Sequence, residues 1–363
     1  TRPSHASAPA APTRRSGAHS VPATPSVRPP ARLHPARPAG PQPAKARPQP
    51  TAPGVQPAAG VSARTQKQDR CRGALIGLAV GDAIGTTLEF KPPGSFKPLT
   101  DMVGGGHFCL KKGYWTDDTS MALCLGYSLL ECGGFDPHDQ MRRYCDWLDN
   151  GYMSSIGNCF DVGVTVSSAL RRFQKTGEPY AGSKAAWTSG NGSIMRLAPV
   201  VIAYANSLQQ AVQHAINSSR TTHGASLCLD SCGFMAALLV ALLNGSDKDA
   251  LQYSGYQAMT PEVQALQAAE WRNKEYQALK GTGFVIECLE AALWCFWHTH
   301  SYAECVLAAA NLGNDADTTA AVAGQLAGAY YGYEGINAGW RAALHRGDEI
   351  CQLADDLFRM AMS

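Results

Sequence analysis

Glycine recurs at every fourth position along two stretches of the chain: Gly73, Gly77, Gly81 and Gly85 in the first, Gly324, Gly328 and Gly332 in the second. On an α-helix that spacing puts all the glycines of a stretch on one face, where the missing side chains let another backbone approach closely. Tight packing of central helices therefore accounts for both ridges. A membrane-dimer reading fails for the first ridge, which is short and carries Asp82. From Asp69 onward the apolar periodicity is that of helices, over residues 121–130, 225–243, 287–297, 302–310 and 318–331, and alternating strand patterns are scarce. The expected fold is all-α, with long loops where Gly and Asn gather, around 104–106 and 189–192.

Composition changes abruptly near residue 69. Residues 1–68 are dominated by Pro, Ala, Ser and Arg, hold no Asp or Glu, and carry ten Lys or Arg residues. Such a segment buries too little apolar surface to offset its ordering entropy, so it is expected to be a disordered tail. Residues 69–363 are expected to form a single compact helical domain, long enough to bury roughly three quarters of its unfolded surface. The net charge of +2 conceals the asymmetry, because the part beyond the basic tail is acidic. A solvated linker or secretion segment explains the tail, so no nucleic-acid partner is expected. It lacks the apolar stretch of a Sec signal peptide. Twelve cysteines, scattered from Cys71 to Cys351 without a CxxC pair, point to reduced, buried thiols. A cytoplasmic protein is expected, bacterial or in a host cytosol. Apolar runs such as 234–243 fall short of the ~18 residues that span a bilayer, so no membrane span is expected.

Two acidic clusters carry the chemistry: Thr116-Asp117-Asp118-Thr119 and Asp315-Ala316-Asp317-Thr318. Each opens into an apolar helical segment. Asp or Thr at such a place is ordinarily a helix cap, but a cap needs one oxygen and each cluster offers at least three. Crowded carboxylates raise each other's pKa, whereas a divalent cation between them lets all stay ionised. Neither cluster contains His or Cys, so the all-oxygen donor set favours Mg²⁺ or Mn²⁺. Two carboxylate-bridged ions ~3.5–4 Å apart would bind sugar hydroxyls and activate water; a single structural ion is the alternative. Glu89 and Asp161 are candidate acid, base or water-orienting groups, or else surface charges or caps. The loop Gly190-Asn191-Gly192-Ser193 can form an anion nest or a plain turn. His223 is a candidate donor to phosphate or ribose, or a capping or core histidine, and Trp115 either shields the first cluster or packs in the core.

Taken in order, the stretch from Cys71 to Gly85 with Glu89, Trp115-Thr-Asp-Asp-Thr-Ser120, Gly190-Asn-Gly-Ser-Ile-Met-Arg196, Thr222-His-Gly224 and Gly313-Asn-Asp-Ala-Asp-Thr-Thr319 resemble the ADP-ribosylglycohydrolase family. The resemblance runs from about residue 70 to the C-terminus. It implies an all-α fold with two Mg²⁺ or Mn²⁺ ions, held by Thr116, Asp117, Asp118, Asp315, Asp317 and Thr318. It further implies that Glu89 matches a mobile glutamate near the metals and Asp161 an acidic residue facing the modified ribose. Gly190, Asn191, Gly192, Ser193 and His223 would hold ADP-ribose. The implied activity is metal-dependent removal of ADP-ribose from a modified protein, with arginine the expected attachment. An O-linked substrate, on serine or a small conjugate, or a non-catalytic ADP-ribose-binding protein are the alternatives. Two positions depart from the family pattern: Asn314 stands where a second glycine is usual, and Val164 where a polar residue is expected.

Overall fold

In a computed structural model the described residues are 62–363; most of the segment expected to be a tail, residues 1–61, lies outside them. Thirteen α-helices are present among the described residues: α1 Ala63–Gly85, α2 Asp117–Cys132, α3 Pro137–Asn150, α4 Val164–Thr176, α5 Ala198–Ala203, α6 Leu208–Thr222, α7 Ser226–Leu243, α8 Pro261–Ala268, α9 Val285–His298, α10 Tyr302–Ala310, α11 Ala316–Tyr331, α12 Ala338–Ala343 and α13 Gly347–Met362. Extended pairing is limited to isolated bridges such as Gly190 with Phe284. The fold is all-α. Its first helix starts earlier than the composition break at residue 69, because Ser62 caps it by accepting the Thr65 N–H. Within that extra turn and a half, Lys67 donates to Asn206 and Gln68 to Asp355, so the polar end of the expected tail is tied to the domain.

Both glycine ridges meet in one contact. α1 and α11 run antiparallel, backbone against backbone: a Cβ on Gly73 would overlap the Gly328 carbonyl oxygen, one on Gly77 that of Gly324, one on Gly81 that of Ala320, and one on Gly85 that of Ala316. Tyr302 of α10 locks the pair by donating its hydroxyl to the Gly77 carbonyl at 2.6 Å. Around this axis α9 and α10 pack on α11, α13 on α1, and α2 against α3 and α5, while α6 and α7 form a neighbouring pair. The apolar core is continuous through these layers.

Helix α7 reaches 18 residues and is, by length and composition, apolar enough to cross a bilayer; the apolar-run estimate from sequence stopped short of it at Asp230 and Ser231. Most of it is buried against α6, α9 and α11. Asp230 is fully buried within it and accepts from Tyr256 Oη, the Met259 and Thr260 N–H groups and Thr260 Oγ1 at 2.6–3.1 Å. A buried carboxylate on one helix thus organises the start of another, α8. The same device recurs at the acidic clusters.

Overpacking a close backbone contact costs roughly 1–3 kcal/mol and can exceed that where no side chain can move aside. Gly77→Leu is therefore expected to lower stability by roughly 3 kcal/mol or to prevent folding. Gly163→Ala, where a Cβ meets nothing within 4 Å, should change it by less than about 0.5 kcal/mol. Urea denaturation monitored by circular dichroism checks both.

Candidate metal centre and ligand pocket

Because α1 and α11 are antiparallel, the C-terminal end of α1 lies beside the N-terminus of α11, and Asp82 comes to face Asp317. The start of α2 is brought to the same point by Asp82. Its fully buried carboxylate accepts the backbone N–H of Thr116 at 3.0 Å and of Thr119 at 3.1 Å, together with the Thr119 hydroxyl at 2.7 Å. The Thr119 N–H belongs to the first turn of α2 and has no partner within that helix, so Asp82 caps α2 from another helix. The consequence falls on the acidic clusters. Thr116 and Asp315 occupy the N-cap positions of α2 and α11, yet neither side chain makes a capping bond. Capping does not account for these carboxylates.

Their oxygens converge instead. Asp82, Asp118 and Asp317 each place one oxygen within 4.8 Å of the others, and so do Glu89, Asp161 and Asp317. Asp317 belongs to both groups. The Thr116 hydroxyl sits 2.9 Å from Asp82, 3.0 Å from Asp317 and 3.3 Å from Asp118, with one proton to share among three carboxylates. Thr318 Oγ1 lies 3.3 Å from Asp118. Asp118 Oδ1, Asp317 Oδ1 and Glu89 Oε2 are buried with no hydrogen-bond partner among the described residues. Buried carboxylate oxygens without donors are costly unless a cation or a proton meets them.

The electrostatics express the same deficit. Burial first, then neighbouring carboxylates, push Asp117, Asp118 and Asp317 well above the usual carboxylate range. The same causes raise Glu89 to about 10, and burial raises Asp161 to about 7 against a hydrogen bond from Glu89. Asp82 rises only to about 6, because the Thr119 and Thr116 donors offset much of its burial. An all-oxygen, donor-poor, acidic centre of this kind fits hard divalent cations.

A cavity of about 690 Å³ opens at the centre, lined by the acidic residues Glu89, Asp117, Asp161, Asp315 and Asp317 with Thr318, and by Gly190, Asn191, Gly192 and His223. Thr116 and Asp118 lie beneath this surface, fully buried. The two sets are stitched together. Asn191 Nδ2 donates to Asp315 Oδ2 at 2.8 Å, and the Asn191 N–H to the Gly283 carbonyl at 3.0 Å. Asn314, where glycine was usual, has φ +54° and exchanges backbone hydrogen bonds with Phe90 and Lys91, fastening the Glu89 segment to α11. Asparagine tolerates this left-handed geometry better than other side chains, which explains the departure. Val164 is a wall residue at the start of α4 and is 82% exposed. Asp161 itself has φ +56°, and its loop is anchored where Ser155 Oγ donates to the Trp115 carbonyl at 2.6 Å. Trp115 is fully buried and donates to His345, so it packs rather than covers the site.

One sequence expectation needs correction, and one residue of the centre was not expected. Ser193 does not face the cavity: its buried hydroxyl accepts from Ser219 Oγ at 2.8 Å and from Cys232 Sγ at 3.4 Å, beneath the loop. Asp82 was not among the expected site residues, although an Asp in a glycine-ridged, otherwise apolar helix segment was a visible signal. His223 does line the cavity; burial and then the nearby Arg196 charge lower it to about 3, so it is neutral.

A family model described as ADP-ribosylglycohydrolase matches residues 63–363. The chain is 41% identical to the ADP-ribosylarginine hydrolase Tri1 of Serratia proteamaculans, over 82% of this chain and 81% of that protein. It is 32% identical to the ADP-ribosyl-[dinitrogen reductase] glycohydrolase of Rhodospirillum rubrum, over 76% and 90% of the two chains. A solved structure titled as an ADP-ribosylglycohydrolase-related protein complex superposes with a TM-score of 0.73 at 42% identity, covering 82% of this chain and 99% of its own.

A carboxyl whose pKa is higher in the folded than in the unfolded chain binds more protons in the native state, so its ionisation weakens the fold as pH rises. The metal-free protein should therefore lose thermal stability as pH rises from about 4, where these carboxyls ionise in the unfolded chain, to about 6 for Asp82 and about 7 for Asp161, where they ionise in the folded one, and millimolar Mg²⁺ should remove most of that loss. Differential scanning fluorimetry with and without EDTA reads both. Asp82→Ala should cost about 2 kcal/mol through the lost cap and should diminish the Mg²⁺-induced shift in Tm.

Proposed function

The chain belongs to the ADP-ribosylglycohydrolase family, and from that premise we propose that it hydrolyses the bond between ADP-ribose and the guanidinium of a modified arginine. The relatives named for ADP-ribosylarginine support that linkage. The observation that carries the reading is the meeting of Asp118 from the first acidic cluster with Asp317 from the second, beside Glu89 and Asp161 and with buried carboxylate oxygens that lack donors, at a cavity large enough for a nucleotide-sized ligand. Thr116, Asp117, Asp118, Asp315, Asp317 and Thr318 would hold two divalent cations, Mg²⁺ or Mn²⁺. When bound, such cations supply positive charge and Lewis acidity at sugar hydroxyls and at water.

The chain's own residues handle the protons. Water adds to ribose C1″ as the C1″–N bond breaks, and the nitrogen leaves with the bonding pair. A guanidinium already carries its proton at neutral pH, so it departs as a neutral guanidine without a strong acid. Glu89 or Asp161 takes the proton that water gives up and returns it to the departing guanidine. Asp161 lines the cavity with an oxygen within 4.8 Å of one on Glu89, so the pair can take up and return that proton. Gly190, Asn191, Gly192 and His223 face the remainder of the ligand. All twelve cysteines are free, which supports a reducing, cytosolic setting.

Incubating the protein and Mg²⁺ with arginine-ADP-ribosylated and serine-ADP-ribosylated peptides should release free ADP-ribose from the arginine peptide. Release from the serine peptide alone would move the reading to O-linked substrates, and release from neither would remove the hydrolase. Asp317→Ala should abolish turnover, and Glu89→Gln or Asp161→Asn should lower kcat by roughly a hundredfold or more.

A further inference from the structure

Arg196 takes no part in the scheme above, yet it is fully buried beside the ligand wall. We propose that Arg196 is a positioning residue that, through Thr222, fixes His223 as a neutral imidazole whose Nε2–H faces the cavity and donates to a phosphate or hydroxyl oxygen of the ligand. The identity of that ligand rests on the ADP-ribose reading; the positioning role does not.

The geometry follows the direction of each proton. A guanidinium only donates. Nη1 of Arg196 donates to the Gly192 carbonyl at 3.0 Å, and Nη2 reaches the Ser218 carbonyl at 3.1 Å, Thr221 Oγ1 at 3.2 Å and Thr222 Oγ1 at 2.8 Å. Its charge rests 4.9 Å from the centre of the Tyr144 ring, and no carboxylate among the described residues pairs with it. Thr222, having accepted from Arg196, must send its own proton elsewhere. Its remaining hydrogen-bond neighbour is His223 Nδ1, at 2.8 Å. Thr222 is fully buried, so water offers no substitute. Nδ1 therefore accepts, and the single proton of the neutral ring resides on Nε2. A proton on Nδ1 would instead strand the Thr222 hydroxyl without an acceptor in the interior.

The far edge of the ring meets the glycines of the loop. A Cβ on Gly192 would come within 2.7 Å of His223 Cε1 and 3.0 Å of Nε2, and Nε2 makes no hydrogen bond to another described residue. Arg196 thus grips both halves of this wall, the loop through the Gly192 carbonyl and the histidine through Thr222.

Nitrogen-15 spectra of histidine-labelled protein, with His223 assigned by His223→Gln, read the tautomer directly. The wild type should show a neutral ring protonated at Nε2 at neutral pH. Thr222→Val should remove the donor to Nδ1, moving the Nδ1 resonance toward that of a ring nitrogen that accepts no hydrogen bond, and should weaken ADP-ribose binding by roughly tenfold while leaving the Mg²⁺-induced Tm shift in place. Thr222→Ser should restore both. Arg196→Met, which frees the Thr222 hydroxyl to turn away, should weaken the same hydrogen bond at Nδ1, and the Thr222 pair decides the matter if that variant fails to fold. An Nδ1-protonated or charged His223 in the wild type, or an Nδ1 resonance unchanged in Thr222→Val, would overturn the proposal. Failure of the wild type to bind ADP-ribose would overturn the ligand reading alone, since the spectra still decide the relay.

Discussion

The antiparallel backbone contact between α1 and α11 is the constraint on which the centre depends. With glycine at each crossing point the two helices approach until carbonyl oxygens occupy the space of missing side chains. That closeness sets the distance between Asp82 on one helix and Asp317 at the start of the other, positions some 235 residues apart in sequence. Asp82 then draws in α2 by capping it, and Asp117 and Asp118 arrive with it. Packing without side chains, a cross-helix cap and a carboxylate cluster are successive consequences of one contact.

A centre built this way is electrostatically unfinished. Burying several carboxylates together costs far more than burying one, and nearby donors are mostly committed to Asp82. The fold holds the cluster because the surrounding helices are densely packed, so strain at the centre is offset elsewhere. Divalent cations, as proposed, would convert that repulsion into a function.

Across the cavity the logic is reversed. There the buried charge is a single guanidinium whose partners are carbonyls, hydroxyls and an aromatic face, and the cavity wall it supports is formed by glycines, an asparagine and a neutral histidine. One wall is rich in carboxylate acceptors and the other carries none of the acidic side chains. Asn191 joins them through Asp315, which couples the position of the loop to that of the second acidic cluster.

Much of this was legible in the sequence because it rests on local pattern. The central helices were visible from their dense apolar periodicity, residues 302–310 matching α10 and 318–331 lying within α11. The more polar α3 and α4 were harder to see, because their apolar faces are narrow stripes in otherwise charged or polar segments. The four-residue glycine spacing announced close packing but not the partner, since a ridge specifies a surface and not what meets it. Both acidic clusters were evident as oxygen-rich helix starts. Their freedom from capping was not, because the group that relieves them, Asp82, is distant in sequence and acts through backbone N–H groups that no residue pattern records. The inward turn of the Ser193 hydroxyl and the Arg196–Thr222–His223 chain were likewise decided only in three dimensions. Residue type and spacing determined which helices form and which oxygens are offered; their direction, burial and shared protons depend on neighbours that only the tertiary fold brings together.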